Sequence, residues 1–263
     1  GSYQRLTPAK PSPAITLTTE DGTTYRSGKP IAITLEESGS ERACVRIELD
    51  HTSGAKRLFR STFRVHLFRN SSALRVLHTF ENNHTENTFT HIRELTLRSD
   101  LNVGTHPQSR TGRQKQKTLS QPITLNQTHD NAYTITQGRS TLSKGKRADG
   151  SVDLSGSKAG VTLSVRDFWQ NYPKGLSVDE KGISIQICPP LKKNAYPKDG
   201  ELTERLYYHL LNGHHKLKSG IARTHELWFH IRTDGSAPSH FNTNVQAPPL
   251  YSISLNTFNK SRS

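Results

Sequence analysis

Arg166, Asp167, Trp169, Asn171, Tyr172 and Lys174 fall within one short segment, Val165-Arg166-Asp167-Phe168-Trp169-Gln170-Asn171-Tyr172-Pro173-Lys174-Gly175. A strand-like alternation (Val161, Leu163, Val165) runs into this mixture of charge, aromatic ring and amide, then stops at Pro173-Lys174-Gly175. Folding alone has little use for such a combination at a strand end. Aromatic faces stack on sugar rings, and Arg and Lys pair with sugar acids. The segment therefore reads as a surface for an acidic carbohydrate, with Trp169 as platform and Asp167, Asn171 and Lys174 as polar contacts.

A second cluster is Gly220-Ile221-Ala222-Arg223-Thr224-His225-Glu226-Leu227-Trp228-Phe229-His230. On a strand, His225, Leu227 and Phe229 share one face and Glu226, Trp228 and His230 the other. His225 is then in phase with the apolar set, at an end where a site can open. Two readings stand: a base that takes a proton while Arg223 neutralises a neighbouring carboxylate, or a hydrogen-bonded core histidine beside a surface arginine. Glu226 is grouped with the substrate contacts. His209, His214 and His215 have loose ligand-like spacing, but no Cys or carboxylate joins them. They read as a polar, solvated helix end, and no metal or other cofactor is expected.

Charge narrows the partner. Thirty-six Lys and Arg against 22 Asp and Glu give a net charge of +14, which points to polyanions rather than to a fold. Salt-sensitive adhesion to nucleic acid follows from that charge alone. Specific nucleic-acid binding is not expected, because the densest basic run, Arg110 to Lys117, contains no aromatic residue. Phosphate loops, nucleophile elbows and zinc-helix motifs do not occur. No apolar run is long enough to span a membrane. Gly1-Ser2, in a chain without Met, reads as an expression scar on a mature or excised fragment.

The elements that must position these residues read as strands. Hydrophobic residues make up 31% of the chain, which suits sheets with one dry and one wet face better than a helical bundle. Alternation appears at Ile15 and Leu17, at Ile31 to Leu35, and at Ala43 to Leu49 with Arg46 and Glu48 facing the other way. It recurs at Phe63 to Leu67, Leu74 to Phe80, Ile92 to Leu97, Val161 to Trp169, Ile183 to Ile187, His225 to Ile231 and Tyr251 to Leu255. Such spacing predicts an all-β, antiparallel β-sandwich. Leu202, Leu206 and Leu210, closed by Gly213, predict one short helix. Residues 1–30 read as a linker or the tail of a preceding domain, and 31–263 as the sandwich. Within it, 99–150 reads as a long basic loop insertion holding at most one hairpin. Cys44 and Cys188 leave two readings open, a long-range disulfide or two buried thiols.

The order of these pieces is familiar. The strand pair Phe63 to Phe80, the Phe168-Trp169-Gln170-Asn171-Tyr172-Pro173 segment and Thr224-His225-Glu226 together resemble the central β-sandwich domain of the exo-rhamnogalacturonan lyase-like (PcRGLX/YetA-like) proteins. The resemblance runs from about Ile31 to Phe258 and omits 100–150. It implies a polysaccharide lyase architecture in which a small barrel precedes the sandwich and an α/α toroid follows it. This chain shows neither a full first domain nor helical repeats. The expected function is action on an anionic polysaccharide by β-elimination at a uronate. The alternative is a non-catalytic glycan-binding or scaffold module. For elimination, Arg166 or Arg223 would neutralise the carboxylate, and His225 or Tyr172 would move protons. Handling of polysaccharide implies a secreted or periplasmic protein.

Overall fold

The computed structural model describes residues 6–8, 12, 14–196, 209–233 and 241–246. Two antiparallel sheets face each other across one apolar core. The first sheet runs β3 (Ala32–Ser38), β4 (Arg42–Ser53), β5 (Lys56–Phe68), β6 (Ala73–Glu81) and β18 (Ala222–Arg232). It continues through β14 (Gly160–Val165), β13 (Ser151–Ser155), β8 (Gln108–Thr111) and β9 (Lys117–Thr118). The second runs β2 (Thr24–Ser27), β1 (Ile15–Thr19), β7 (Phe89–Asp100), β16 (Gly182–Cys188) and β15 (Lys174–Asp179). It ends in the meander β10 (Ile123–His129), β11 (Ala132–Gln137) and β12 (Ser140–Gly145). Where β16 leaves β7, β17 (His215–Lys218) takes over the same edge, and β2 joins the sheets by pairing with β4.

The core follows the period of two that a strand imposes. Val161, Leu163 and Val165 on β14 meet Leu227 on β18 and Val152 and Leu154 on β13. Across the gap lie Leu176, Val178, Ile183 and Ile185 of the second sheet. Ile15 and Leu17 are fully buried, each worth about 1.5–3 kcal/mol. The lead segment is therefore partly sandwich: β1 and β2 lie inside residues 1–30 and hydrogen-bond into the sheets.

The sandwich is as expected, and three further details differ. Residues 99–150 carry β8 to β12 rather than a loop with at most one hairpin. Their alternation is weak because Gln127 occupies the inward phase after Ile123 and Leu125, fully buried, with its amide bonded to the carbonyls of His129 and Lys146 and the Ala148 N–H. The strand of Val161 to Trp169 stops at Val165. Ile31, Ile33 and Leu35 alternate like core residues yet are 53%, 67% and 60% exposed, because β3 is an edge strand that pairs only with β4 among the described residues.

The helix around Leu202 and Leu206 and the strand Tyr251 to Leu255 lie outside the described residues. Leu211–Gly213 forms a single 3-10 turn. A short helix, α1 (Phe241–Gln246), lies against β14. Among the described residues no helix is long and apolar enough to cross a membrane. Cys44 and Cys188 are both buried free thiols, one on each sheet.

Candidate functional site

The Arg166 to Pro173 segment is the crossing from the first sheet to the second, between the end of β14 and the start of β15. Its shape is fixed at several points. Asp167 sits at φ 52°. The backbone N–H and side-chain amide of Asn171 both donate to the Asp167 carbonyl, at 3.1 and 2.9 Å. Gln246 of α1 donates to the Val165 and Asp149 carbonyls and accepts the Asp167 N–H. Phe168 is the buried anchor, packed onto Gly150, where φ is 69° and a Cβ would stand 2.3 Å from the Phe168 Cβ.

This wall sends its side chains to three places. Asn171, Tyr172 and Lys174 line one cleft; Trp169 and Gln170 line another; Arg166 and Asp167 turn to the outer face of the first sheet. The segment read as one binding surface is therefore divided, because the chain changes sheets within it.

The first cleft, of about 430 Å³, lies between β15, β16, β17 and the start of β18. Lys174, Lys216, Lys218, Arg223, His209 and His215 reach it with Tyr172, and among the described residues no Asp or Glu lines it. Lys174 points inward because it shares the phase of Leu176 and Val178. It is only 3% exposed and donates to the Ile187 carbonyl at 2.8 Å. Burial lowers its pKa to about 8, with Arg223 adding repulsion. Burial also raises the Tyr172 phenol, as does nearby Asp130. It brings His215 down to about 4 and pushes the Cys188 thiol up to about 11. His215 is thus no solvated helix residue: it is buried on β17 with Nε2 on the Pro189 carbonyl, and His214 faces Glu20 at 3.1 Å.

His225 sits one layer behind. It is buried on β18, stacked with Phe80 at 6.0 Å and His78 at 6.3 Å. Phe80 lines the cleft; His225 does not. Desolvation, then Lys174, His78 and Arg223, hold its pKa well below the ordinary value, so it is a neutral imidazole whose Nδ1 has no partner among the described residues. Beyond it, His78 and His51 both contact the Ser61 hydroxyl at 2.9 Å, in a fully buried row that the sequence reading missed.

Arg166 and Glu226 meet each other instead of the cleft, at 3.6 Å. Glu226 also accepts Arg75 at 3.0 and 3.1 Å and the Trp228 indole N–H at 2.8 Å. Burial alone would push its carboxyl up, but the bonds from Arg75 and Trp228 outweigh that and hold it below the ordinary range. Asp167 lies 3.9 Å from Arg166. Of the nine nominated residues, the first cleft gathers Asn171, Tyr172, Lys174 and Arg223; His225 backs it, and Trp169, Arg166, Asp167 and Glu226 lie elsewhere.

The class so defined is a two-sheet antiparallel sandwich with a cationic cleft at one end. Residues 121–184 match the family model described as the PcRGLX-like protein central beta sandwich domain, the family the sequence resembles. The match takes in β10 to the start of β16, with Trp169, Tyr172 and Lys174, and stops short of Arg223 and His225. No curated protein matches the chain. Among solved structures, it is similar to the galactosidase domain of the α-galactosidase-sucrose kinase AgaSK, at 11% identity and TM-score 0.49, over 84% of this chain and 30% of that one. A galactose mutarotase-like protein from Clostridium acetobutylicum aligns at 12% identity and TM-score 0.47, over 84% and 79%. The GH36 α-galactosidase AgaA from Geobacillus stearothermophilus aligns at 11% identity and TM-score 0.41, over 86% and 31%. The chain spans about a third of that galactosidase's length. At these scores the likeness says nothing of substrate.

Proposed function

We propose that the chain acts on an acidic polysaccharide, seating a uronate in the cleft of Lys174, Arg223 and Tyr172 and cleaving beside it by lyase-type β-elimination. The observation that carries this reading is the one-signed lining: among the described residues it has four lysine or arginine residues, two histidines and no carboxylate. A low-dielectric pocket of that composition favours a sugar that bears a carboxylate over a neutral one.

The chemistry asks for three roles, and the cleft offers a residue for each. Arg223 faces the uronate carboxylate and lowers the cost of the charge that develops when C5 loses its proton. Lys174, with its pKa near 8, takes the C5 proton in its neutral amine form, so elimination quickens as pH rises toward and past 8; the role passes to it because Phe80 screens His225. Tyr172 remains protonated and gives its proton to O4 as the C4–O bond breaks and the C4=C5 bond forms. The electron pair of the C5–H bond becomes the new double bond, and that of the C4–O bond leaves with the oxygen.

A binding or scaffold module is the second reading. It is favoured by one observation: the Lys174 amine is already engaged by the Ile187 carbonyl. An absorbance time course on rhamnogalacturonan, polygalacturonate and glycosaminoglycans separates the two. A rise in ultraviolet absorbance from the unsaturated product, lost in Tyr172→Phe, supports elimination. A flat trace with retention that Arg223→Ala abolishes supports binding alone. A flat trace with no retention beyond that of a nucleic acid of equal charge overturns both.

A further inference from the structure

On the opposite side of the Trp169–Gln170 wall lies a second cleft of about 400 Å³, within the size range of small-molecule sites. Leu125 and Ile135 make an apolar floor. Over it stand Asp149, Arg113, Gln114, Gln170 and the phenol of Tyr133, with Trp169 at the side. Two features give the site its form. Tyr133 lies across Gly145 on the neighbouring strand, where any Cβ would stand 2.6 Å from its ring. The Arg147 guanidinium rests over the Trp169 indole, 4.1 Å from the ring centroid, an arrangement that holds a flexible cation in one place.

Its lining is mixed in sign where the first cleft's is not, with Arg113 and Arg147 facing Asp149. Asp149 is a partly buried carboxyl, and the bonds it receives, from the Ser151 N–H and hydroxyl, both fall on Oδ1. Burial holds this carboxyl above the usual carboxylate range, against the pull of Ser151, Arg113 and Arg110. An anionic ligand would meet Asp149, and a cationic one would meet Arg113 and Arg147. A neutral ligand rich in hydroxyls avoids both penalties. Each hydroxyl donates and accepts at once, so vicinal pairs can donate to Asp149 Oδ2 and accept from guanidinium and carboxamide N–H groups. The C–H face of a pyranose then has Leu125, Ile135 and the Trp169 edge to cover it.

We propose that this cleft is a binding site for a neutral pyranose, separate from the acidic-sugar cleft and built on residues that cleft does not use. It stands whether or not the first cleft binds uronates. The test is saturation-transfer NMR titration of the full chain with methyl glycosides of neutral hexoses and 6-deoxyhexoses, and with methyl galacturonoside. Asp149→Asn keeps the Oδ1 acceptor for Ser151 while removing the charge; Arg113→Ala changes an exposed side chain, so it keeps the test sound if the first variant melts early. The expected result is saturable binding of a neutral glycoside, weakened about tenfold or more by either variant and unchanged in Arg223→Ala. Absence of saturable binding by every neutral glycoside overturns the proposal. So does binding that ignores both pocket variants, or binding lost with Arg223→Ala. A preference for the galacturonoside that depends on Arg113 overturns it as well, making the site a second anion pocket.

Discussion

Gln170 and Asn171 are consecutive, yet they line different cavities, Gln170 beside Trp169 and Asn171 beside Tyr172. A single peptide unit thus separates a pocket of mixed charge from a cationic one. The chain can do this because the segment is neither strand nor helix. It is held by Asp167 in a left-handed conformation, by Phe168 in the core and by Gln246 from α1.

That wall leans on Gly150. A Cβ there meets both a φ of 69° and the Phe168 Cβ at 2.3 Å, so Gly150→Ala must move the aromatic anchor. The expected cost is on the order of 2–3 kcal/mol, since backbone strain and steric overlap act together. Urea denaturation measures it. A loss below about 0.5 kcal/mol would mean the corner relaxes freely and does not fix the wall.

Lys174 should make stability rise with pH in the alkaline range. Its pKa falls from 10.5 to about 8 on folding, so the unfolded chain binds the proton more tightly between those values. The cost of burying the charge is full at pH 7 and is relieved as pH passes from about 8 to about 10.5. At 1.36 kcal/mol per unit that cost is roughly 3 kcal/mol, less about 1 kcal/mol returned by the bond to Ile187. Lys174→Met is expected to be more stable than the native chain at pH 7, with the difference closing by pH 10.5. Equal midpoints at both pH values would place the amine in water.

How far the sequence led can be judged from Lys174 and Gln127. The strands with clean alternation, such as Ala43 to Leu49 and Leu74 to Phe80, were legible because one face is dry and the other wet. In β10 a buried Gln127 stands where the pattern calls for an apolar residue, and β12 has only Leu142 to mark it, so the meander reads as loop. For the site, residue types were legible but their directions were not. Asn171, Tyr172, Lys174 and Arg223 converge, while Trp169 and Glu226 leave for other surfaces. One usable signal was passed over: Lys174 is in register with Leu176 and Val178, which already places its amine inside. Nothing in the sequence marks Asp149 or Arg113 among so many polar neighbours.

The row His51–Ser61–His78 predicts acid sensitivity. Ser61 has one proton to give, so it donates to one Nε2 and accepts from the other, and the two imidazoles carry opposite tautomers. Burial lowers His51 to about 4 and His78 to about 3. Below the unfolded value of 6.5 the unfolded chain takes up protons that the native chain refuses, so stability falls as pH drops from about 6.5 toward 4. His51 alone accounts for roughly 3 kcal/mol of that fall. Ser61→Ala strands two buried nitrogens and is expected to cost about 2–4 kcal/mol at pH 7. A pH-stability curve flat from 7 to 4.5 would show that these imidazoles are hydrated.

Asp153 and Arg232 give the sharpest test of the outer face, because their ion pair is buried on both sides, at 2% and 6% exposure. Arg232 Nη2 donates to Asp153 Oδ2 at 2.8 Å, and Thr162 bridges them, receiving from Nη1 and donating to the same oxygen. Among the described residues Asp153 Oδ1 and Arg232 Nε have no partner, so there the pair is desolvated without full compensation. Arg232→Met leaves a buried carboxylate alone and is expected to cost about 3–5 kcal/mol, whereas Arg232→Met with Asp153→Val should recover most of that loss. Urea melts of the single and double variants decide it. If the double variant is as unstable as the single, the guanidinium contributes packing that methionine cannot replace, and the charge pair is not what holds β13, β14 and β18 in register.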